Sequence, residues 1–133
     1  MGRISFVIAV AVLFTVGCGT IKEKTRMTDF DNIARAYEHI MLESDFETAM
    51  EFTDSEAGPE DIDYTAYEDF KIVDYQVKKN TISEDKLEVT RTIELKYYKI
   101  DSLIVRTIRY EQVWKYDEEK KTWLLQTPLP ELK

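Results

Sequence analysis

The chain has 133 residues, a length typical of a single domain, and its 26 acidic and 18 basic side chains give a formal net charge of −8. Phosphate backbones and anionic surfaces repel so acidic a chain, which excludes nucleic acid as an expected partner. The only cysteine, Cys18, has no second cysteine to pair with, so the fold must rest on its hydrophobic core.

An apolar segment at the N-terminus ends at this cysteine. It begins with Arg3, continues through the apolar run 4–16 and ends in Gly17. A basic start, a short apolar run and a small-residue exit predict an export signal peptide over residues 1–17. The run is shorter than the roughly 20 apolar residues that a membrane-spanning helix needs. Because the segment carries one base and no acid, its removal would leave 116 residues with a formal charge of −9.

The residues Thr15-Val16-Gly17-Cys18 resemble the lipobox of bacterial lipoproteins, in which a small residue precedes a lipidated cysteine. Thr15 stands where that family usually has Leu. The resemblance implies cleavage before Cys18, a diacylglycerol thioether on its sulfur and acylation of the new amine, for example by palmitate. Two or three acyl chains together anchor a protein stably to a membrane. The alternatives are a plain secretory signal with an incidental cysteine and an uncleaved transmembrane helix.

The same resemblance implies a location. The protein would be exported to the cell envelope and held at a membrane by the lipid on Cys18. Gly19 follows the cysteine where Asp would be the inner-membrane retention signal of some two-membrane bacteria, so the family rule implies the outer membrane in such a cell. Residues 18–27 are predicted to be the lipidated cysteine and a short tether, and residues 28–133 to be a single domain.

Two helices are predicted at the start of that domain. Apolar residues recur at three- and four-residue spacing from Phe30 to Met41, which predicts an amphipathic helix capped by Thr28 or Asp29. After a break, a shorter helix is predicted around Phe46.

From Lys71 onward the hydrophobic period changes to two, which predicts strands. In the first strand, Val73, Tyr75 and Val77 are predicted to share the apolar face, with Asp74 on the polar face. The remaining segments are a loop over 53–63 that contains Gly58-Pro59 and strands over 87–99, 103–116 and 123–127.

The register of the two long strands follows from a two-residue turn at Asp101-Ser102, because a slip by one residue would mix the apolar and polar faces. In the last hairpin, a four-residue loop over 117–120 would place Trp114 opposite Trp123. The predicted pairs of the long strands are Glu88–Lys115, Val89–Trp114, Arg91–Gln112, Ile93–Tyr110, Glu94–Arg109 and Leu95–Ile108.

Helices followed by a meandering sheet predict an α+β domain, with N-terminal helices packed on a curved antiparallel sheet of about four strands. The helical pair, the long sheet and the hairpin from Val113 to Trp123 (Val-Trp-Lys-Tyr, then Lys-Thr-Trp) resemble nuclear transport factor 2-like, cystatin-like domains, which are cone-shaped. The resemblance covers about residues 29–128 and implies a pocket between helices and sheet. A lipocalin-like or plain cystatin-like arrangement is the alternative.

Two polar residues stand on the apolar face that would line such a pocket. Arg91 falls between Val89 and Ile93, and Gln112 is opposite Arg91. A charge buried without a partner is costly, so Arg91 must pair with an acid, reach solvent or bind an anion. In the functional interpretation, Arg91 holds the carboxylate of an apolar ligand. The candidate pocket residues are Arg91, Gln112, Tyr97, Tyr110 and Trp114.

No catalytic residue, metal site or cofactor is predicted. The only histidine, His39, lies off the apolar stripe of the first helix and is expected to be solvated, whereas zinc sites use clustered His and Cys ligands. Enzymes of the cone-shaped fold, such as isomerases and dehydratases, use an Asp or an Asp–His pair with Tyr. Neither Asp63, in a loop, nor Asp74, on the polar side of a strand, has a partner of that kind.

The favoured function is therefore a non-catalytic domain that binds a small ligand or an envelope protein near the membrane surface. The alternatives are an isomerase- or dehydratase-like enzyme of the same fold and a structural subunit of an envelope complex. A pocket with Arg91 beside an acid of shifted pKa would favour a ligand, whereas a filled core with an exposed apolar patch would favour a partner. The apolar residues available for such a patch are Tyr98, Ile100, Leu103, Val105 and Val113.

Overall fold

The computed structural model describes residues 17–57 and 63–133, with side chains from Ile21 onward. The predicted signal segment before residue 17, the Gly58-Pro59 pair and the side chain of Cys18 lie outside the described residues. The elements are α1 (Gly17–Leu42), α2 (Phe46–Met50), a 3-10 turn (Tyr64–Ala66), β1 (Phe70–Ile82), β2 (Glu88–Lys99), β3 (Val105–Asp117) and β4 (Thr122–Leu125).

The four strands form one antiparallel sheet in the order β1-β2-β3-β4, and α1 packs on one of its faces. This arrangement confirms the predicted α+β class. In the described part of the chain, no helix combines the length and the apolar character needed to cross a membrane.

The first helix begins earlier than predicted. It starts at Gly17 and passes through the predicted cap at Thr28 and Asp29. The hydroxyl of Thr28 does not cap the helix but donates to the carbonyl of Lys24 at 2.9 Å, one turn earlier. Such a bond satisfies the hydroxyl inside a helix, so a threonine does not by itself mark a helix start. The predicted tether, residues 18–27, is therefore helical along its backbone.

The register of β2 and β3 confirms the prediction. Val89 pairs with Trp114, and all six predicted pairs are observed. The turn is longer than predicted, because β2 ends at Lys99 and β3 begins at Val105. Leu103 takes a positive φ of 54°, which allows the longer turn to close without shifting the register.

The first strand differs from the prediction. Tyr75 is buried, but Val73 and Val77 are 48 % and 37 % exposed, and Ile72 is buried instead. A β-bulge between Ile72 and Asp74 shifts the pairing with β2 by one residue. A strand side chain that is displaced by one residue changes face, which explains the exposure of Val73. Val77 pairs with Ile93 in the same register as Tyr75 with Leu95, so it shares the face of Tyr75 as predicted, although it is partly exposed there.

The last hairpin is also corrected. Trp123 pairs with Tyr116 and not with Trp114. The strand β3 continues to Asp117, whose Oδ1 accepts two backbone hydrogen bonds from the turn at 2.9 Å each, and the turn ends in Lys121 with a φ of 53°. The pairing moves by two residues in total, so both tryptophans remain on the buried face.

The core lies between α1 and the inner face of the sheet. Phe30, Ala34, Tyr37 and Met41 recur at helical spacing and are at most 4 % exposed, which confirms the predicted apolar face of the helix. The rings of Phe30 and Tyr37 meet the indole of Trp114 edge to face, with centroids 6.0 and 5.5 Å apart. This contact joins the helix to the centre of β3.

The turns define two ends of the domain. At the N-terminal end, the first half of α1 lies beside the β1–β2 and β3–β4 turns: Glu23 pairs with Lys86 at 3.4 Å, and Trp123 Nε1 donates to the carbonyl of Arg26 at 2.9 Å. The hairpin end carries the β2–β3 turn. The strand β2, with 12 residues, separates the two ends by about 40 Å, and the backbone of Cys18 belongs to the N-terminal end.

Candidate functional site

Gln112 of β3 is fully buried on the inner face of the sheet. Its Oε1 accepts a hydrogen bond from Trp114 Nε1 at 3.2 Å, and its Nε2 donates to the hydroxyl oxygens of Tyr75 and Tyr110 at 2.9 Å each. An indole N–H can only donate, so the orientation of the amide is determined by this contact. The amide therefore links β1 and β3 through three aromatic side chains.

Tyrosine hydroxyls surround this amide in a poorly solvated region. Burial raises the pKa of Tyr75 to about 12, although the hydrogen bond from Gln112 and the charge of Arg91 oppose the rise. Burial also raises the pKa of Tyr110 and of Tyr37 well above the usual range of a phenol. All three side chains therefore carry their hydroxyl hydrogens at neutral pH and can donate them.

Arg91 of β2 completes the cluster. Its guanidinium carbon lies 5.7 Å from the ring centroid of Phe30. Its positive charge partly opposes the rise that burial causes in the pKa of Tyr75 and of Tyr110. Within the described part of the chain, Arg91 forms no ion pair and its buried Nε has no hydrogen-bond partner. The cluster thus offers more hydrogen-bond donors than acceptors.

Four of the five predicted pocket residues come together in this cluster: Arg91, Gln112, Tyr110 and Trp114. Tyr97 does not join them. It lies six residues after Arg91 on β2, and its hydroxyl contacts the backbone N and O of Lys133 at 3.3 and 3.4 Å. Tyr97 therefore helps to hold the C-terminal residues against the hairpin end. The carboxylate-binding role of the other four stays a prediction.

Sequence reasoning missed Tyr37 and Tyr75 as members of the cluster. Hydrophobic periodicity places both on apolar faces, which is where they lie, but it does not indicate which buried polar group their hydroxyls meet. The available signal was Gln112 itself, because an amide on an apolar face needs donors and acceptors from the elements packed against it.

The space around the cluster is filled by side chains. Val89, Ile93, Gln112 and Trp114 are 0 % exposed, so the helix and the sheet are in direct contact at this level. A ligand at Arg91 would have to enter beside its half-buried guanidinium and could not occupy an open cavity at these four residues.

The other candidate acid–base residues lie outside this cluster. His39 is exposed, as predicted, and forms an ion pair with Glu43 at 3.1 Å when it is protonated. Asp63 accepts a hydrogen bond from the backbone of Thr65 and caps the 3-10 turn. Asp74 accepts a hydrogen bond from Gln76 on the same strand at 2.8 Å. Each acid is thus engaged in a local contact.

The hairpin end carries an exposed apolar patch, which we call the apolar tip. It consists of Ile100, Leu103, Ile104 and Val105, whose side chains are 48 to 71 % exposed. Exposed apolar residues are common singly, but four within six positions of one turn concentrate apolar surface at this end of the sheet, which is typical of a contact surface. Residues Ile100, Leu103 and Val105 were predicted to be available there, and Ile104 adds to them.

Comparisons of the chain with protein-family models, with curated protein sequences and with solved structures gave no significant match. The resemblances to bacterial lipoproteins and to nuclear transport factor 2-like domains therefore stay predictions from the sequence.

Proposed function

We propose that this protein is an exported, lipid-anchored protein of the cell envelope whose domain binds a partner protein through the apolar tip. The observation that carries the proposal is the position of that tip, at the end of the sheet about 40 Å from the N-terminal end, to which the backbone of Cys18 belongs. A surface at that distance from a lipid anchor faces the compartment and not the membrane. Contact with an apolar groove of a partner would remove the tip from water.

The filled interior supports a partner over an enclosed ligand. At the level of Val89, Ile93 and Trp114, which are 0 % exposed, the described side chains of α1 and the sheet occupy the space that a cone-shaped domain would need for a pocket. The apolar tip, in contrast, offers apolar area for a contact at the surface. Association through few apolar side chains depends on how well they fill a complementary pocket.

The anchor is tested by the intact mass of the protein in the membrane fraction. We expect the wild type to have the mass of the 116-residue chain plus acyl groups, because Cys18 would carry the lipid. Cys18→Ser removes the sulfur that forms the thioether, so the variant should lack the acyl groups and leave the membrane fraction. An unmodified mass for the wild type would contradict lipidation.

The apolar tip is tested by site-specific photo-crosslinking in the native cells. A photoreactive residue at Ile104 is expected to give a discrete product of higher mass, because this side chain is 62 % exposed at the tip. The matched control places the same residue at Glu84, an exposed position in the β1–β2 turn at the N-terminal end. Leu103→Asp, combined with the reagent at Ile104, should reduce the product at least fivefold, since Asp tolerates the positive φ of residue 103.

Equal crosslinking at Ile104 and Glu84, or a product that survives Leu103→Asp, would contradict the proposed contact. A product with twice the mass of the chain would show that the partner is a second copy of this protein. Loss of the crosslinked product in the variant Arg91→Leu, in which the apolar tip is intact, would instead support a second candidate function. That function is the binding of a carboxylate by the donor-rich cluster. The unpartnered Nε of Arg91 is the observation that favours this second candidate.

A further inference from the structure

A cleft of about 420 Å³ lies at the N-terminal end, between the first half of α1 and the β3–β4 hairpin. Three basic side chains line it, Lys22 and Arg26 from the helix and Lys121 from the turn. Among the described residues, none of these three forms an ion pair. Asp29 and Glu118 also line the cleft, so its lining carries a net charge of +1, opposite in sign to the −8 of the whole chain.

Arg26 is positioned by contacts that leave part of its hydrogen-bonding capacity unused. Its guanidinium carbon lies 5.5 Å from the ring centroid of Tyr116, and its backbone carbonyl accepts the hydrogen bond from Trp123 Nε1. Its Nε is buried and has no hydrogen-bond partner in the described part of the chain. A guanidinium that lies over an aromatic ring and forms no ion pair can present its terminal N–H groups to a phosphate in a bidentate geometry.

The remaining lining residues suggest what the phosphate is attached to. Asp29 and Glu118 also line the cleft, and their carboxylates can accept hydrogen bonds from hydroxyl groups. Thr25 adds a hydroxyl, although it already donates to the carbonyl of Ile21 at 3.0 Å and so can only accept. A bare phosphate would be repelled by the two acids, whereas a phosphate ester with free hydroxyls would satisfy cations and acids together.

The geometry points to this cleft as a binding site for a polyol phosphate, such as the phosphoglycerol group of a lipid or a soluble sugar-alcohol phosphate. The cleft begins one helical turn after Cys18, because Lys22 follows Cys18 by four residues on α1. A lipid headgroup is the source if the proposed anchor on Cys18 brings this end to the membrane. The phosphate chemistry itself does not depend on the anchor.

The site is tested with the full mature protein, purified from membranes and held in micelles of an uncharged detergent. Calorimetric titration with glycerol phosphate should show saturable binding. The double variant Lys22→Gln with Lys121→Gln should weaken that binding at least tenfold, because it removes two of the three positively charged side chains that would contact the phosphate. Lys24→Gln with Lys120→Gln changes the net charge equally beside the cleft, outside its lining, and should change the affinity less than twofold.

Vesicles with and without phosphatidylglycerol identify the source of the phosphate. Recruitment by phosphatidylglycerol that is lost in the Lys22 and Lys121 variant supports a headgroup, whereas binding of glycerol phosphate without such recruitment supports a soluble ester. The site would be overturned if neither glycerol phosphate nor phosphatidylglycerol vesicles showed saturable binding. Equal weakening of the binding by the two double variants would also overturn it. An unlipidated Cys18 with intact glycerol phosphate binding would overturn the anchor alone.

Discussion

Replacement of Trp114 by alanine is expected to lower the free energy of unfolding by about 3–5 kcal/mol. The indole is fully buried and meets Phe30 and Tyr37 of α1 edge to face. Its loss would leave a cavity at the contact between helix and sheet. It would also remove the donor to Gln112 Oε1, and a buried acceptor without a partner adds to the cost. Urea unfolding followed by circular dichroism measures the change.

Two further variants separate these contributions. Trp114→Phe keeps an aromatic ring but lacks the indole N–H, so its loss of stability should be intermediate. Lys115→Ala alters the next residue on β3, whose side chain is 56 % exposed, and should change the free energy of unfolding by less than about 0.5 kcal/mol. A loss below about 1 kcal/mol for Trp114→Ala would contradict the packing of α1 on the sheet.

The register of β2 and β3 was predictable because several local requirements agree. Only one register places Val89 and Trp114 on one face and also sets Glu94 opposite Arg109 on the other, where the observed N–O distance is 2.7 Å. The turn itself was predicted too short. When the apolar faces and the cross-strand charges agree on one register, the strand pairing can therefore be predicted even if the predicted turn length is wrong.

The first strand was less predictable because its shape depends on contacts outside its own sequence. The segment around Tyr75 alternates well enough to suggest a regular strand. The bulge after Ile72 appears only in the pairing with β2, and it precedes Tyr75, whose hydroxyl accepts a buried hydrogen bond from Gln112. A period of two contains no information about where an extra residue is accommodated. The exposure of Val73 follows from the bulge and not from its hydrophobicity.

The cluster around Gln112 could be predicted in part. The lone polar pair Arg91 and Gln112 on an apolar face was visible in the sequence, and the structure keeps the two opposite each other. The hydroxyls that meet there come from three elements, with Tyr37 on α1 and Tyr75 on β1. Their proximity depends on how the helix crosses the sheet, which hydrophobic periodicity does not define.

The buried tyrosines also predict a steep loss of stability at alkaline pH. Burial raises the pKa of Tyr75 to about 12 and the pKa of Tyr37 and Tyr110 in the same direction, whereas a tyrosine of the unfolded chain ionises near pH 10. Below about pH 10 both states are protonated and the stabilising contribution is complete. Above it the unfolded state loses protons that the folded state keeps, so the free energy of unfolding falls.

Each such tyrosine contributes about 1.4 kcal/mol per pH unit, so the three together should lower the free energy of unfolding by about 4 kcal/mol per unit above about pH 10. Urea midpoints measured between about pH 8 and pH 12 should show this slope, and the phenolate absorbance of these three of the eight tyrosines should rise only with the loss of helical signal. Tyr110→Phe should reduce the slope by about a third, because it removes one of the three protons while lysine titration affects both proteins alike. If the phenolate absorbance of all the tyrosines rose while the helical signal was retained, the three hydroxyls would be accessible in the folded state. The cluster would then be an open site that water and anions can enter. That result would favour ligand binding at Arg91 over partner binding at the apolar tip as the function of the domain.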